Sequence, residues 1–160
     1  MNLIFEPISQ ADVKSLTEIM TRAFDNDTKL HLDEEKGGPD GYDNGEFIIK
    51  WALNSPSQSF KVLMNGMLVG SVIVWINEDG KNFLGTIFVD PIVQNKGIGL
   101  KIWKYIESKY PSTKKWVTET PGFSKRNHNF YVNKCGFKIV KILNPGVLKE
   151  ERYILEKDML

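Results

Sequence analysis

The chain is poor in the residues that build covalent or metal-centred frameworks. Its 160 residues include one cysteine, Cys135, and two histidines, His31 and His128. A single thiol excludes an internal disulfide network and any cysteine-rich zinc site. Two histidines leave little for a histidine-based centre, so no metal is expected. No apolar run approaches the roughly 18 residues that a helical membrane span requires. The opening MNLIFEPISQ lacks the basic and apolar segments of a secretory leader. The expectation is a cytoplasmic protein that does not enter membranes. Repeats and low-complexity stretches are also missing.

What is present is ordinary globular material, 41% hydrophobic and 26% charged. That balance excludes disorder. The length suits one domain over residues 1–160 with a sizeable core. The charges are segregated although they sum to only +1. Residues 1–60 hold 11 acids against 5 bases, and residues 94–141 hold 11 bases against Glu107 and Glu119. Such a division points to two faces with different ligands. Nucleic acid is not expected, because the bases are interleaved with a core helix and match no recognised motif.

The spacing predicts a strand over 2–6, stopped by Pro7. Ser9 is a candidate N-cap for a helix carrying Val13, Leu16, Met20 and Phe24 on one face. Residues 25–45 read as an acidic, glycine-rich loop. A second helix follows at Phe47, Ile48, Trp51 and Ala52. Asn65-Gly66 and Asp79-Gly80 are hairpin turns within a three-stranded meander over 60–89. A helix is expected over 97–109, a strand over 115–119, a short helix over 125–134, and strands over 137–142 and 152–156. The class is α+β, with a mixed central sheet of about seven strands and four helices.

The most informative stretch runs from Val89 to Leu100, where a strand enters a loop and the loop enters a helix. Gly97 and Gly99 have no Cβ, so backbone N–H groups there can approach a bulky anion. The first helical turn adds unpaired N–H groups and partial positive charge. This is a candidate cradle for phosphate or pyrophosphate, with Lys96 and Lys101 as countercharge. Two other glycine-rich motifs fail. Leu100 stands where a mononucleotide loop needs lysine, and Ile102 stands where the dinucleotide fingerprint needs its third glycine. A tight strand-to-helix turn remains the simple alternative.

Gln94-Asn95-Lys96-Gly97-Ile98-Gly99 resembles the acetyl-CoA motif of the GNAT superfamily of N-acetyltransferases, Gln/Arg-x-x-Gly-x-Gly/Ala. The segment from Asn127 to Phe137 is similar to that family's other CoA-side element, an Asn opening a helix, an aromatic pair, then Gly-Phe opening a strand. The element order also matches, so the resemblance covers residues 2–157. In many members the tyrosine lies four residues before that glycine. Here Tyr131 lies five before Gly136. An extra residue in the helix's last turn would restore the direction of the ring.

The resemblance implies an acetyl-CoA-dependent enzyme in which a primary amine attacks the thioester directly, without an acyl-enzyme. The amides of Ile87, Phe88 and Val89 would meet the pantetheine and the acetyl oxygen. Those of Gln94, Asn95, Lys96, Gly97, Ile98, Gly99 and Leu100, with Lys101 nearby, would hold the pyrophosphate. Asn127, Phe130, Tyr131 and Lys134 would flank the rest of the cofactor. Tyr131 is the candidate acid for the departing thiolate, with a role in core packing as the alternative. The family often carries a glutamate near position 83, but this chain has Phe83, which leaves Glu119 or ordered water as the base. Cys135 is expected to be a buried structural thiol. Asp33, Glu34, Asp40 and Tyr42 are candidate contacts for a small cationic acceptor. A protein or peptide acceptor and a non-catalytic CoA-binding module are the alternatives. A homodimer is compatible with the family.

Overall fold

A computed structural model describes residues 2–159. Seven strands form one sheet in the order β1-β2-β3-β4-β5-β7-β6. They are β1 (Leu3–Pro7), β2 (Gln58–Met64), β3 (Met67–Trp75), β4 (Lys81–Val89), β5 (Lys115–Pro121), β6 (Lys138–Leu143) and β7 (Arg152–Asp158). Every pairing is antiparallel except β4 with β5. Four helices accompany them. They are α1 (Val13–Leu32), α2 (Glu46–Ile48), which continues as a π turn over Ile49–Leu53, α3 (Ile98–Lys109) and α4 (Lys125–Asn129). The expected class, strand count and helix count are all found.

Alternation along the strands places apolar side chains on both sheet faces. One face packs with α3, joining Ile102, Trp103 and Ile106 to Val72, Leu84, Trp116 and Leu155. The other packs with α1 and α2, joining Leu16, Met20 and Ile48 to Ile73 and Phe88. The hairpin turn after β2 has positive φ at both Asn65 and Gly66, as a tight two-residue turn requires.

The first helix is longer than its sequence suggests. It was expected to end near Phe24, but it runs on through DNDTKLHL to Leu32. The polar residues that read as a loop have tertiary partners instead. Asp25 accepts hydrogen bonds from the Tyr42 hydroxyl (2.6 Å) and the Gly37 amide (3.1 Å). Thr28 donates to the Gly37 carbonyl at 2.8 Å. Asp33 closes the helix with φ 55°. The glycines that follow serve close packing. A Cβ at Gly37 would meet Thr28, and one at Gly38 would meet the Tyr42 ring.

Two features of β4 create the opening in which chemistry can occur. Its parallel pairing with β5 covers only Lys81–Leu84 against Lys115–Thr118, so the strands part beyond that point. Its register with β3 slips between Ile73 and Val74, leaving Gly85 as the bulged residue. Bulges of this kind bend a strand and re-aim its groups.

Candidate active site

Two cavities meet where β4 and β5 diverge. The first is a cleft of about 730 Å³ between α1, α2, β3, β4, β5 and the β6–β7 loop. The second is a groove of about 220 Å³ over the 94–100 loop, the start of α3 and α4. Phe24, Asp27, Ile87 and Asn127 border both. A ligand filling the groove therefore presents its end to the cleft.

The groove carries most of the residues expected to hold a cofactor. Ile87, Phe88, Val89, Gln94, Asn95, Gly97, Ile98, Gly99, Leu100, Asn127, Phe130 and Lys134 all line it. Asn95 (φ 65°) and Gly97 (φ 74°) are both left-handed, which curls the 94–97 backbone ahead of the α3 N-terminus. The two glycines differ in purpose. A Cβ on Gly97 would meet nothing within 4 Å, so the space above its amide is open. A Cβ on Gly99 would press on the Phe130 ring at 3.2 Å, so this glycine lets α3 approach α4. Lys96 and Lys101 are exposed and stand outside the groove wall.

Sequence reasoning missed Arg126 and Asp27. The Arg126 guanidinium lies 3.2 Å from Asp27 and donates to Gln94 Oε1 at 3.3 Å and Asn26 Oδ1 at 3.1 Å. Asp27 is buried, and it also accepts from the Ser124 hydroxyl (3.2 Å) and faces His31 Nε2 (3.3 Å). This cluster ties α1 to the cofactor loop and to the α4 N-cap. Its members are far apart in sequence, so only the basic character of the segment hinted at it.

The aromatic pair near α4 follows the expected route. Helix α4 passes into a π turn over Phe130–Lys134, and the Cys135 amide donates to the Phe130 carbonyl five residues back. The wider turn absorbs the extra residue before Gly136. Tyr131 then borders the larger cleft rather than the groove, and its ring packs against Phe130 and Phe137 at 5.2 and 5.7 Å. Burial holds its phenol well above the ordinary tyrosine range, with Cys135 adding to the effect. Burial likewise pushes the Cys135 thiol up to about 12, so it is protonated at neutral pH and suits a structural role.

Glu119 lies in the cleft wall, with Oε1 3.3 Å from Arg152 Nε. Phe83 is there too. The histidines are engaged elsewhere. His128 stacks on Tyr153 at 4.2 Å and sits 3.0 Å from the Pro121 carbonyl, and His31 faces Asp27.

The expected acidic acceptor wall needs correction. Of Asp33, Glu34, Asp40 and Tyr42, only Glu34 lines the cleft, and Lys149 binds it at 2.8 Å. Asp33 is exposed and pairs with Lys29 at 2.9 Å. Asp40 is exposed and outside the wall. Tyr42 is buried against α1, where burial and the nearby Asp25 push its phenol up to about 12. The cause is the extension of α1, which makes this segment a packed strap. Among the described residues, no group of three or more His, Cys, Asp or Glu side chains is placed to hold a metal.

Residues 14–137 match the Acetyltransferase (GNAT) family. An uncharacterised protein of Bacillus subtilis (strain 168), YrkN, is 37% identical over 144 residues, which are 89% of this chain and 76% of that protein. The fold is similar to that of the PaiA N-acetyltransferase from Thermoplasma acidophilum in complex with coenzyme A. There the TM-score is 0.77 at 16% identity, covering 99% of both chains. The ribosomal-protein-S18-alanine N-acetyltransferase of Escherichia coli gives 0.74 at 14% identity, covering 99% of this chain and 94% of that one. A Bacillus subtilis acetyltransferase in complex with CoA gives 0.67 at 16% identity, covering 99% and 98%.

Proposed function

The chain belongs to the acetyltransferase (GNAT) family, and from that premise we propose that it moves the acetyl group of acetyl-CoA to the primary amine of a small molecule. The observation that carries this reading is the junction of the two cavities at Ile87 and Asn127. Acetyl-CoA in the groove would bring its thioester to the parted edge of β4, and an amine in the cleft would face it.

The amine nitrogen attacks the carbonyl carbon, a C–N bond forms, and collapse of the tetrahedral intermediate breaks the C–S bond. The amine gives up a proton and the thiolate gains one. The backbone N–H groups of Ile87 and Val89, which point away from β3, stabilise the oxyanion. The amides of Gln94–Leu100 and the Arg126 guanidinium bind the pyrophosphate, and Phe130, Lys134 and Asn127 flank the remainder of the cofactor. Tyr131 protonates the thiolate, which a neutral phenol at the cleft wall can do. Glu119 takes the amine's proton through water. Direct attack needs no enzyme nucleophile, which agrees with a buried, protonated Cys135.

The cleft of about 730 Å³ has room for a small amine. The test is release of free CoA thiol with a panel of small amines and short peptides, with acetylated products identified by mass. Release with at least one small amine is expected. Release with peptides alone would replace the small-molecule acceptor. CoA binding without release from any amine would make the chain a binding module.

A further inference from the structure

The walls of the acceptor cleft are aromatic, and its carboxylates are already paired. Phe24 of α1, Phe47 and Trp51 of α2 and its π turn, Trp75 of β3, Phe83 of β4, and Phe123 all line it. Three of these rings form a continuous wall. Trp51 meets Trp75 edge to face at 5.9 Å and 81°, and Trp75 meets Phe83 at 6.0 Å and 51°. The bulge residue of β4 makes room for them, since a Cβ on Gly85 would collide with the Trp75 ring. All three rings are only half-buried, so faces remain open for a ligand.

The acidic groups of the cleft are Asp27, Glu34 and Glu119. Asp27 is held by Arg126 and His31, Glu34 by Lys149 and Glu119 by Arg152. Lys36 adds a further positive charge to the lining. The second ammonium of a polyamine would have to compete with a resident cation at each of these carboxylates.

We infer that the acceptor is a primary amine on a short tether to an aromatic or comparably flat apolar body, seated against Trp51, Trp75 and Phe83. The inference rests on the acetyltransferase reading. A cation–π cage would attract any ammonium group, aromatic or not, so the comparison must separate body from charge.

The experiment measures kcat/KM by thiol release for 2-phenylethylamine, butylamine and 1,4-diaminobutane. Burying one ring should favour the first by about 10–100-fold. Trp75→Leu and Phe83→Leu should each erase most of that preference, chiefly through KM, while the thermal shift caused by acetyl-CoA stays as in the unsubstituted protein. That shift verifies that each variant is folded with its groove intact. If Trp75→Leu unfolds, Phe83→Leu carries the test, since the ring at 83 ends the wall. Equal or better turnover of 1,4-diaminobutane, or variants that keep the preference, would overturn this inference and leave the acetyltransferase reading standing. Absence of thiol release from every amine would remove that reading and this inference with it.

Discussion

Tyr131 borders the proposed acceptor cleft on one side and packs against Phe130 and Phe137 on the other. Burial pushes its phenol above the ordinary tyrosine range, so the hydroxyl is neutral at pH 7 and carries a proton. Tyr131→Phe retains the ring and removes only that proton. General acid catalysis is worth roughly 10²–10⁴-fold, and kcat should fall by about that factor. A purely structural tyrosine would leave kcat within about threefold and lose at most ~1 kcal/mol of stability. Steady-state rates at saturating amine and acetyl-CoA decide between the two. Cys135 offers the opposite forecast. With its thiol pushed up to about 12, it should resist iodoacetamide at pH 8 in the folded protein. Cys135→Ala should keep kcat within about twofold, because direct attack forms no acyl-cysteine. Loss of turnover in that variant would point to a covalent route.

At the scale of elements, the 3-10 turn Gln10–Asp12 that leads into α1 shows how local chemistry starts a helix. Ser9 and Asp12 form a capping box, with the Ser9 amide donating to Asp12 Oδ2 at 2.8 Å. Lys61 of β2 reaches the other carboxylate oxygen at 2.8 Å. Partial burial opposes ionisation of Asp12, yet the bonds from Lys61 and Ser9 outweigh it and hold its carboxyl below the ordinary value. A lowered native pKa means that the unfolded chain binds the proton more readily in acid. The stabilisation is therefore complete above the unfolded carboxylate pKa of about 3.9 and is lost as pH falls through the lowered native value. Asp12→Asn should cost about 1 kcal/mol at pH 7 by thermal unfolding, and the difference from the parent should shrink toward pH 2. A constant difference would deny the ionised carboxylate its part. The capping signal was legible because its partners lie within one turn. The far end of α1 was not. Asp27 and Thr28 look like loop residues until Ser124, Arg126 and Gly37 arrive from elsewhere in the fold. The same dependence on distant partners hid Arg126, and it made the acidic segment after Leu32 look like a substrate wall. The turn of the glycine loop at 94–99 and the helix that carries Tyr131 were readable, because both are set by local backbone geometry and spacing.

The whole molecule is a sheet held together on one side and parted on the other. Strands β1 to β4 form one half, β5, β7 and β6 form the other, and four register pairs join β4 to β5. A cofactor in the proposed groove, between β4, the 94–100 loop and α4, would bind the folded chain alone and stabilise the native state by mass action. At a concentration of 100 times Kd the gain is about 2.7 kcal/mol, which for a chain of this size raises Tm by roughly 5–10 °C. Gly97→Val tests whether the 94–100 backbone is where that energy is gathered. The new side chain would enter open space above the amide, where an anion would otherwise sit. Valine at φ 74° is also strained and lowers Tm without ligand. Gly66→Val supplies the control, since Gly66 has φ 81°, an equally open surround and a place in the β2–β3 turn far from the groove in sequence. Both variants should melt earlier than the parent when free. Only Gly97→Val should lose most of the rise with acetyl-CoA. An undiminished rise in Gly97→Val would move pyrophosphate binding away from this loop and onto Arg126 and the α4 side of the groove.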